Sequence, residues 1–250
     1  MKNIVITGVT GYLGSNLVKF LHENKQYNIF GTARRTSDIT KIKDYCNIVY
    51  TDELDECFKN NKIDIIIHLA TNYNRDNILL LEEILMDNVI FPLQIIQIMK
   101  KYNVKEFINI DTCLESNVSQ YAFSKKQFRD CLIFLNIPTK NLILQHFYGP
   151  NNTNKDFISS IIKRMKNNQI IDLTIGVKKR DFIYIDDFLN ILEMYLNYQD
   201  LPNTIDCVYE TKYKLSDIAN ITNNLSNYMN IKLLDEVGIF LTSTQQKRSA

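Results

Sequence analysis

Ile4-Val-Ile-Thr-Gly-Val-Thr-Gly-Tyr-Leu-Gly14 decides how this chain folds. Its opening apolar run reads as a buried strand, and helical periodicity takes over across Tyr12–Asn24. Gly8, Gly11 and Gly14 fall at three-residue intervals over the junction. Glycine at such places lets backbone approach a pyrophosphate, while the helix N-terminus offers unpaired N–H groups and the positive end of its dipole. A glycine triplet alone also fits an ordinary tight turn. The strand before it, the amphipathic helix after it and a second strand beyond favour a dinucleotide cradle. Gly8, Thr10, Gly11, Tyr12, Leu13 and Gly14 are the expected contacts.

Outward from this loop, Ile- and Val-rich runs alternate with helical stretches. The runs are Asn3–Thr7, Tyr27–Ala33, Asn47–Thr51, Ile63–Leu69, Glu106–Asp111, Asn141–His146 and Phe182–Ile185, and the clearest helices are Tyr12–Asn24, Leu79–Tyr102 and Ser119–Asn136. Pro92 lies inside the second helix and should kink or break it. The alternation predicts an α/β fold, a Rossmann-type doubly wound parallel sheet covered on both faces, with a small, shortened C-terminal substrate region. Residues 1–150 form the dinucleotide-binding domain in this reading, with 176–200 returning to it. Residues 151–175 and 201–240 form the smaller region, and 241–250 a disordered tail. Within the smaller region Asp156–Asn167 reads as a helix, Ile170–Ile175 as a strand and Ser216–Asn227 as a helix.

Composition excludes several classes. Hydrophobic residues make up 45% and charged residues 23%, with a net charge of +1, so no nucleic-acid or membrane surface is indicated. No apolar run is long enough to span a bilayer. The N-terminus enters a strand at once, leaving no room for a signal peptide, and a cytoplasmic location is expected. Cys46, Cys57, Cys113, Cys131 and Cys207 show no metal-ligand spacing, and His22, His68 and His146 are scattered. No metal is expected, and the cysteines read as buried, reduced thiols.

The second strand ends Gly31-Thr-Ala-Arg-Arg35. An acidic residue there would meet a ribose 2′-hydroxyl, whereas arginine accommodates a 2′-phosphate. Arg34 and Arg35 therefore predict NADP. Asp52, after the third strand, is a candidate for the adenine amino group, and His68-Leu69-Ala70-Thr71 borders the cofactor groove. His68 itself is read as a packed histidine, with the backbone beside it doing the binding. Further on, Tyr121-Ala-Phe-Ser-Lys125 places a phenol and an ammonium one helical turn apart. An ammonium beside a phenol favours the phenolate, so the Tyr121 pKa is expected to be lowered.

Taken together, Thr7-Gly-x-x-Gly-x-x-Gly14, His68-Leu-Ala70, Asn88, Thr112, Tyr121/Lys125, Tyr148-Gly-Pro150 and Arg180-Asp-Phe-Ile-Tyr-Ile-Asp-Asp187 resemble the extended short-chain dehydrogenase/reductase family, the NAD(P)-dependent epimerases and dehydratases of nucleotide sugars. The resemblance implies that Tyr121 exchanges a proton with a sugar oxygen while nicotinamide exchanges a hydride with the attached carbon. It implies that Thr112 hydrogen-bonds the same oxygen, that Lys125 binds the nicotinamide ribose, and that Arg180 pairs with the substrate pyrophosphate. Thr71, Asn88 and His146 are the other substrate-side candidates. Subunits of the family usually dimerise through a four-helix bundle, here Leu79–Tyr102 and Ser119–Asn136.

Departures narrow the expectation. Dehydratases follow the Ser/Thr with an Asp-Glu pair; Cys113-Leu-Glu115 stands here instead, which argues against water elimination. Arg34-Arg35 argue against an epimerase that holds NAD. Asp111-Thr112, Ser124-Lys-Lys-Gln-Phe128 and His146 are similar to the NADPH-dependent 4-ketoreductases of the CDP-abequose and CDP-paratose synthase type. The leading expectation is reduction of a nucleotide-linked 4-keto-6-deoxy sugar for surface polysaccharide synthesis. The alternatives are an NADP-dependent nucleotide-sugar epimerase and a catalytically impaired dinucleotide-binding partner or sensor, the last motivated by the short stretch after Asp187. Reduction of a free small carbonyl compound is disfavoured because it leaves Arg180 without a pyrophosphate.

Overall fold

The computed structural model describes residues 1–74, 78–152, 157–167, 179–208, 212–214, 217–218 and 221. The expected Ile170–Ile175 strand, most of the Ser216–Asn227 helix and the 241–250 tail lie outside these residues. The strands are β1 (Lys2–Thr7), β2 (Tyr27–Ala33), β3 (Asn47–Tyr50), β4 (Ile65–His68), β5 (Glu106–Thr112), β6 (Thr139–Leu144), β7 (His146–Tyr148), β8 (Lys179–Arg180), β9 (Phe182–Tyr184), β10 (Thr204–Cys207) and β11 (Tyr213–Lys214). The helices are α1 (Tyr12–Glu23), α2 (Leu54–Asn60), α3 (Leu81–Leu85), α4 (Phe91–Lys101), α5 (Gln120–Phe134), α6 (Phe157–Lys166) and α7 (Ile185–Asn197).

Two compact units result. One comprises Met1–Ile143 and Asp200–Asp206; the other comprises Leu144–Gln199 and the described residues from Cys207 on. The main sheet runs β10-β6-β5-β4-β1-β2-β3, with parallel pairing from β5 through to β3. Ile4, Val5 and Ile6 at its centre are fully buried, as a parallel strand covered on both faces requires. One face carries the core cluster of Val5, Phe30, Ile66, Ile95, Ile96, Met99, Phe107, Phe128 and Leu132. Full burial of each large side chain there contributes about 1.5–3 kcal/mol. The second unit has its own small core, built from Tyr148, Ile158, Ile162, Phe182 and Ile218.

The structure refines the sequence reading in three places. The Leu79–Tyr102 helix is interrupted just before Pro92, where Met86–Ile90 forms a π-helical turn that closes with the Phe91 N–H donating to the Met86 carbonyl. Pro92 has no N–H and its ring crowds the carbonyl four residues back, so the longer turn absorbs the misfit and α4 starts afresh with Pro92 in its first turn. The Asn141–His146 run divides, because residues from His146 pair in parallel with β9 in a separate two-stranded sheet. Finally, Thr204–Cys207, too polar to stand out by pattern, supplies the outermost strand of the main sheet.

Candidate active site

The strand order reverses between β1 and β4, and open α/β sheets bind ligands in the crevice at such a reversal. The glycine loop fills this place. Gly8 has φ of +73°, and a Cβ there would lie 2.7 Å from the Ala70 nitrogen. A Cβ on Gly14 would run into the Gly8 carbonyl and the Val9 Cα, both backbone atoms that cannot swing aside. Thr10 and Gly11 are exposed, Tyr12 and Leu13 half-buried. α1 starts without a side-chain cap and with no acidic residue in its first turn. Its open N–H groups and positive dipole end therefore suit an anion, and the residues present fit a dinucleotide pyrophosphate.

Beneath the loop, Thr7 locks β1 to β4. Its hydroxyl oxygen accepts from the Leu69 and Ala70 N–H groups, both at 3.1 Å, and pairs with His68 Nδ1 at 2.9 Å. With two N–H groups already donating to it, the hydroxyl proton must go to Nδ1, so His68 carries its own proton on Nε2. Burial, helped by the charge of Lys125, holds the His68 pKa well below its usual value. Nε2 is buried without a hydrogen-bond partner, and the ring sits edge-on to Phe128 with centroids 5.6 Å apart. His68 is thus a packed neutral imidazole that braces Thr7, whose hydroxyl oxygen fixes the Leu69 and Ala70 backbone.

At the end of β2 the two arginines separate in role. Arg35 donates to Asp52 at 2.9 Å and to Glu53 at 2.7 Å, and its guanidinium lies over the Tyr50 ring at 4.6 Å. Asp52 is accordingly an Arg35 partner, its carboxyl held below the usual range by that hydrogen bond. Arg34 is exposed and has no side-chain partner among the described residues.

The proton-transfer candidates gather in the first unit. Thr112 ends β5, and its oxygen accepts from the Leu114 N–H at 3.2 Å, opening a short return to α5. Ser119 caps α5 by accepting from the Ala122 N–H at 3.1 Å, so the few residues between strand and helix suffice. Tyr121 follows in the first turn. The helix buries Ala122, Ser124, Lys125, Phe128 and Leu132, a stripe in which a lysine stands where packing alone would take an apolar residue. Lys125 is only 3% exposed, and burial lowers its pKa to about 8, with Asp111 opposing and Arg129 reinforcing the fall. Asp111 itself is a fully buried carboxylate that pairs with Arg129 and accepts from the Thr112 N–H at 2.7 Å.

The expected lowering of Tyr121 is overturned. Burial pushes the phenol well above its usual value, the neighbouring Tyr73 phenol adds to this, and the Thr112 hydroxyl only partly offsets it. Lys125 is absent from the groups acting on Tyr121, its charge falling instead on His68, Asp111 and Arg129. The cysteines also differ from expectation: all five are free thiols, but Cys46, Cys113 and Cys131 are only half-buried.

Asn88 lies in the π turn, buried. It accepts from the Asn72 N–H at 2.7 Å and the Thr71 hydroxyl at 3.2 Å, and donates to the Asn72 carbonyl and to Ser124 Oγ. Ser124 in turn donates to the Tyr121 carbonyl at 2.8 Å. Thr71 and Asn88 therefore tie the loop after β4 to the helix that carries Tyr121. Tyr73, on that loop, and the Asp111–Arg129 pair are parts of the site that sequence reasoning missed. The run Asn72-Tyr-Asn74 was the available signal, since asparagine side chains favour turns by bonding nearby backbone.

Residues 4–207 match the NAD dependent epimerase/dehydratase family. The chain belongs to that family. Its curated relatives include the CDP-abequose synthase of Salmonella muenchen, 29% identical over 201 residues that cover 76% of this chain and 68% of the relative. That of Yersinia pseudotuberculosis is 27% identical over 241 residues, covering 90% and 84%. Among solved structures, the UDP-glucose 4-epimerase of Thermotoga maritima with UDP-glucose superimposes with a TM-score of 0.79 at 18% identity, over 92% of this chain and 84% of that one. The Bordetella bronchiseptica enzyme WbmG, in complex with NAD and UDP, gives 0.75 at 21% identity, over 94% and 78%. At these identities the structural likeness concerns the fold.

The remaining family motif residues lie in the second unit. Arg180 is half-buried on β8, which pairs antiparallel with β11, and has no ion pair among the described residues. His146 packs its ring against Phe182 at 5.5 Å. No helix among the described residues is long and apolar enough to cross a membrane.

Proposed function

We propose that this protein is an NADPH-dependent 4-ketoreductase of a nucleotide-linked 4-keto-6-deoxy sugar, acting in surface polysaccharide synthesis in the cytoplasm. The observation that carries the reading is the meeting of two hydroxyl side chains, Tyr121 and Thr112, close to the buried Lys125, with burial favouring the protonated phenol. Ketone reduction needs a protonated acid at the carbonyl oxygen, whereas removing a proton from a sugar hydroxyl needs a phenolate. The absence of an Asp-Glu pair after Thr112 supports reduction over dehydration, and relatives of the CDP-abequose synthase type support the substrate class.

Gly8, Thr10, Gly11, Tyr12, Leu13 and Gly14 would hold the dinucleotide, with Leu69 and Ala70 as further contacts and Arg34 for a 2′-phosphate. The bound nicotinamide supplies the hydride. Lys125 binds the ribose hydroxyls and Thr112 donates to the sugar carbonyl oxygen. Tyr121 transfers its phenolic proton to that oxygen, leaving a hydroxyl on the product and a phenolate to be reprotonated from solvent. Arg180 supplies a bidentate fork for the substrate diphosphate. The active species is a homodimer joined through α3–α4 and α5.

An NADP-dependent epimerase is the second reading, supported by the match to the NAD dependent epimerase/dehydratase family. Incubation with NADPH and CDP-, dTDP- or GDP-4-keto-6-deoxyhexose separates the two. Consumption of NADPH with a 4-hydroxy product supports the reductase. Isomerisation of a UDP- or CDP-sugar without net consumption overturns it.

A further inference from the structure

The ring of Tyr73 stacks on that of Tyr121, with centroids 4.5 Å apart and planes tilted by 32°. Tyr73 belongs to the loop after β4 and is 38% exposed, so the pair links the less accessible phenol to the mouth of the site. A solvent-facing loop residue keeps such a position only if its backbone is held. Here the residues on both sides of it are clamped. The Asn72 N–H and carbonyl both bond to Asn88, and Asn72 Nδ2 donates to Asp87 at 2.8 Å. Asn74 adopts a positive φ of 43° and donates to Gln120 Oε1 at 2.7 Å and to the Leu79 carbonyl at 3.1 Å. Gln120 immediately precedes Tyr121, and Asn88 reaches Ser124 on the same helix. The clamp therefore fixes the Tyr73 backbone to the helix turn that carries Tyr121.

We propose that Tyr73 is a positioning residue of this site, a second phenol that the asparagine clamp holds against Tyr121 so that the Tyr121 hydroxyl is oriented toward the reacting oxygen. The inference rests on the reading of Tyr121 as the acid in ketone reduction. The groups acting on Tyr121 agree: after burial, Tyr73 is the largest influence raising its proton affinity, Asp111 on β5 adds to it, and the Thr112 hydroxyl opposes. The charge of Lys125, on the same helix, acts on His68 and is acted on by Asp111.

Tyr73→Phe keeps the ring and removes only the hydroxyl, so it separates this role from packing. The titration of Tyr121 is read in the substrate-free protein by NMR of carbon-labelled tyrosine, with Tyr121→Phe identifying the signal. In Tyr73→Phe, Tyr121 is expected to ionise at lower pH than in the unsubstituted protein, and the alkaline limb of kcat to move the same way. An unmoved or raised Tyr121 titration overturns the proposal, whatever the enzyme's substrate proves to be. Asn74→Ala, which releases the loop from Gln120 while keeping both phenols, must also lower the Tyr121 titration. If it leaves that titration unchanged, the clamp has no such role. Because the titration needs no sugar, its outcome is independent of whether reduction is confirmed.

Discussion

Tyr121 and Lys125 share a helix face, yet burial acts on them in opposite chemical senses, keeping the proton on the phenol and loosening it from the ammonium. For Lys125 the folded pKa, about 8, lies below its ordinary 10.5. The unfolded chain thus binds the proton more tightly, and the cost to folding is full below about pH 8 and gone above the unfolded value. Lys125→Met should raise stability at neutral pH by up to about 3 kcal/mol. That gain should shrink as pH rises from about 8 toward 10.5, as denaturant melts across pH would record. The same substitution should abolish turnover. Tyr121→Phe should also abolish turnover but leave NADPH affinity, followed by nicotinamide fluorescence, nearly unchanged, because it removes one hydroxyl from an intact helix. Arg34→Ala should weaken NADPH binding roughly ten- to a hundredfold and NADH binding little, the loss expected for a charged hydrogen-bonded pair. Arg35→Ala should do neither, since its guanidinium is already taken by Asp52 and Glu53. Residue types at this scale were legible in the sequence. The sign of the Tyr121 shift was not, because it is set first by burial and then by Tyr73, far away in the chain.

At the scale of elements, the glycine loop and α1 fall within a residue of their expected limits, because apolar period and backbone sterics act locally there. The helix around Pro92 needed three-dimensional context. A missing N–H at Pro92 only says that the regular ladder must fail; the π turn that results is what leaves Asn88 buried among Thr71, Asn72 and Ser124. Asn88→Ala removes all four of these hydrogen bonds and strands partners in a dry setting. It should cost about 2–3 kcal/mol in chemical denaturation. It should also lower kcat, since Ser124 and the Tyr73 loop lose their common tie, while Asn72→Ala, which keeps the backbone bonds to Asn88, should cost less.

For the whole molecule, the proposed homodimer puts assembly on the outward faces of α3–α4 and α5. Ile84, Ile95, Met99, Phe128 and Leu132 on these helices are buried within the subunit. What these helices leave outside includes Met86, Ile90, Ile133 and Phe134, exposed by 52%, 39%, 70% and 87%. A homodimer through this face predicts that Met86→Glu with Ile90→Glu yields monomers in sedimentation while cofactor binding persists; an unchanged dimer would place the interface elsewhere. The sequence by itself determined the strand–glycine loop–helix start, the alternation that builds the sheet and the candidates Thr112, Tyr121, Lys125 and Arg180, because each rests on period, sterics or motif within a short stretch. Only the tertiary structure decided that Arg35 is occupied, that the Asn141–His146 run serves two sheets and that Thr204–Cys207 completes the larger one. It alone also brought Tyr73 onto Tyr121 and Asp111 under Lys125. Pairing partners and proton affinities depend on which distant groups meet in a low-dielectric interior, and no local pattern carries that information.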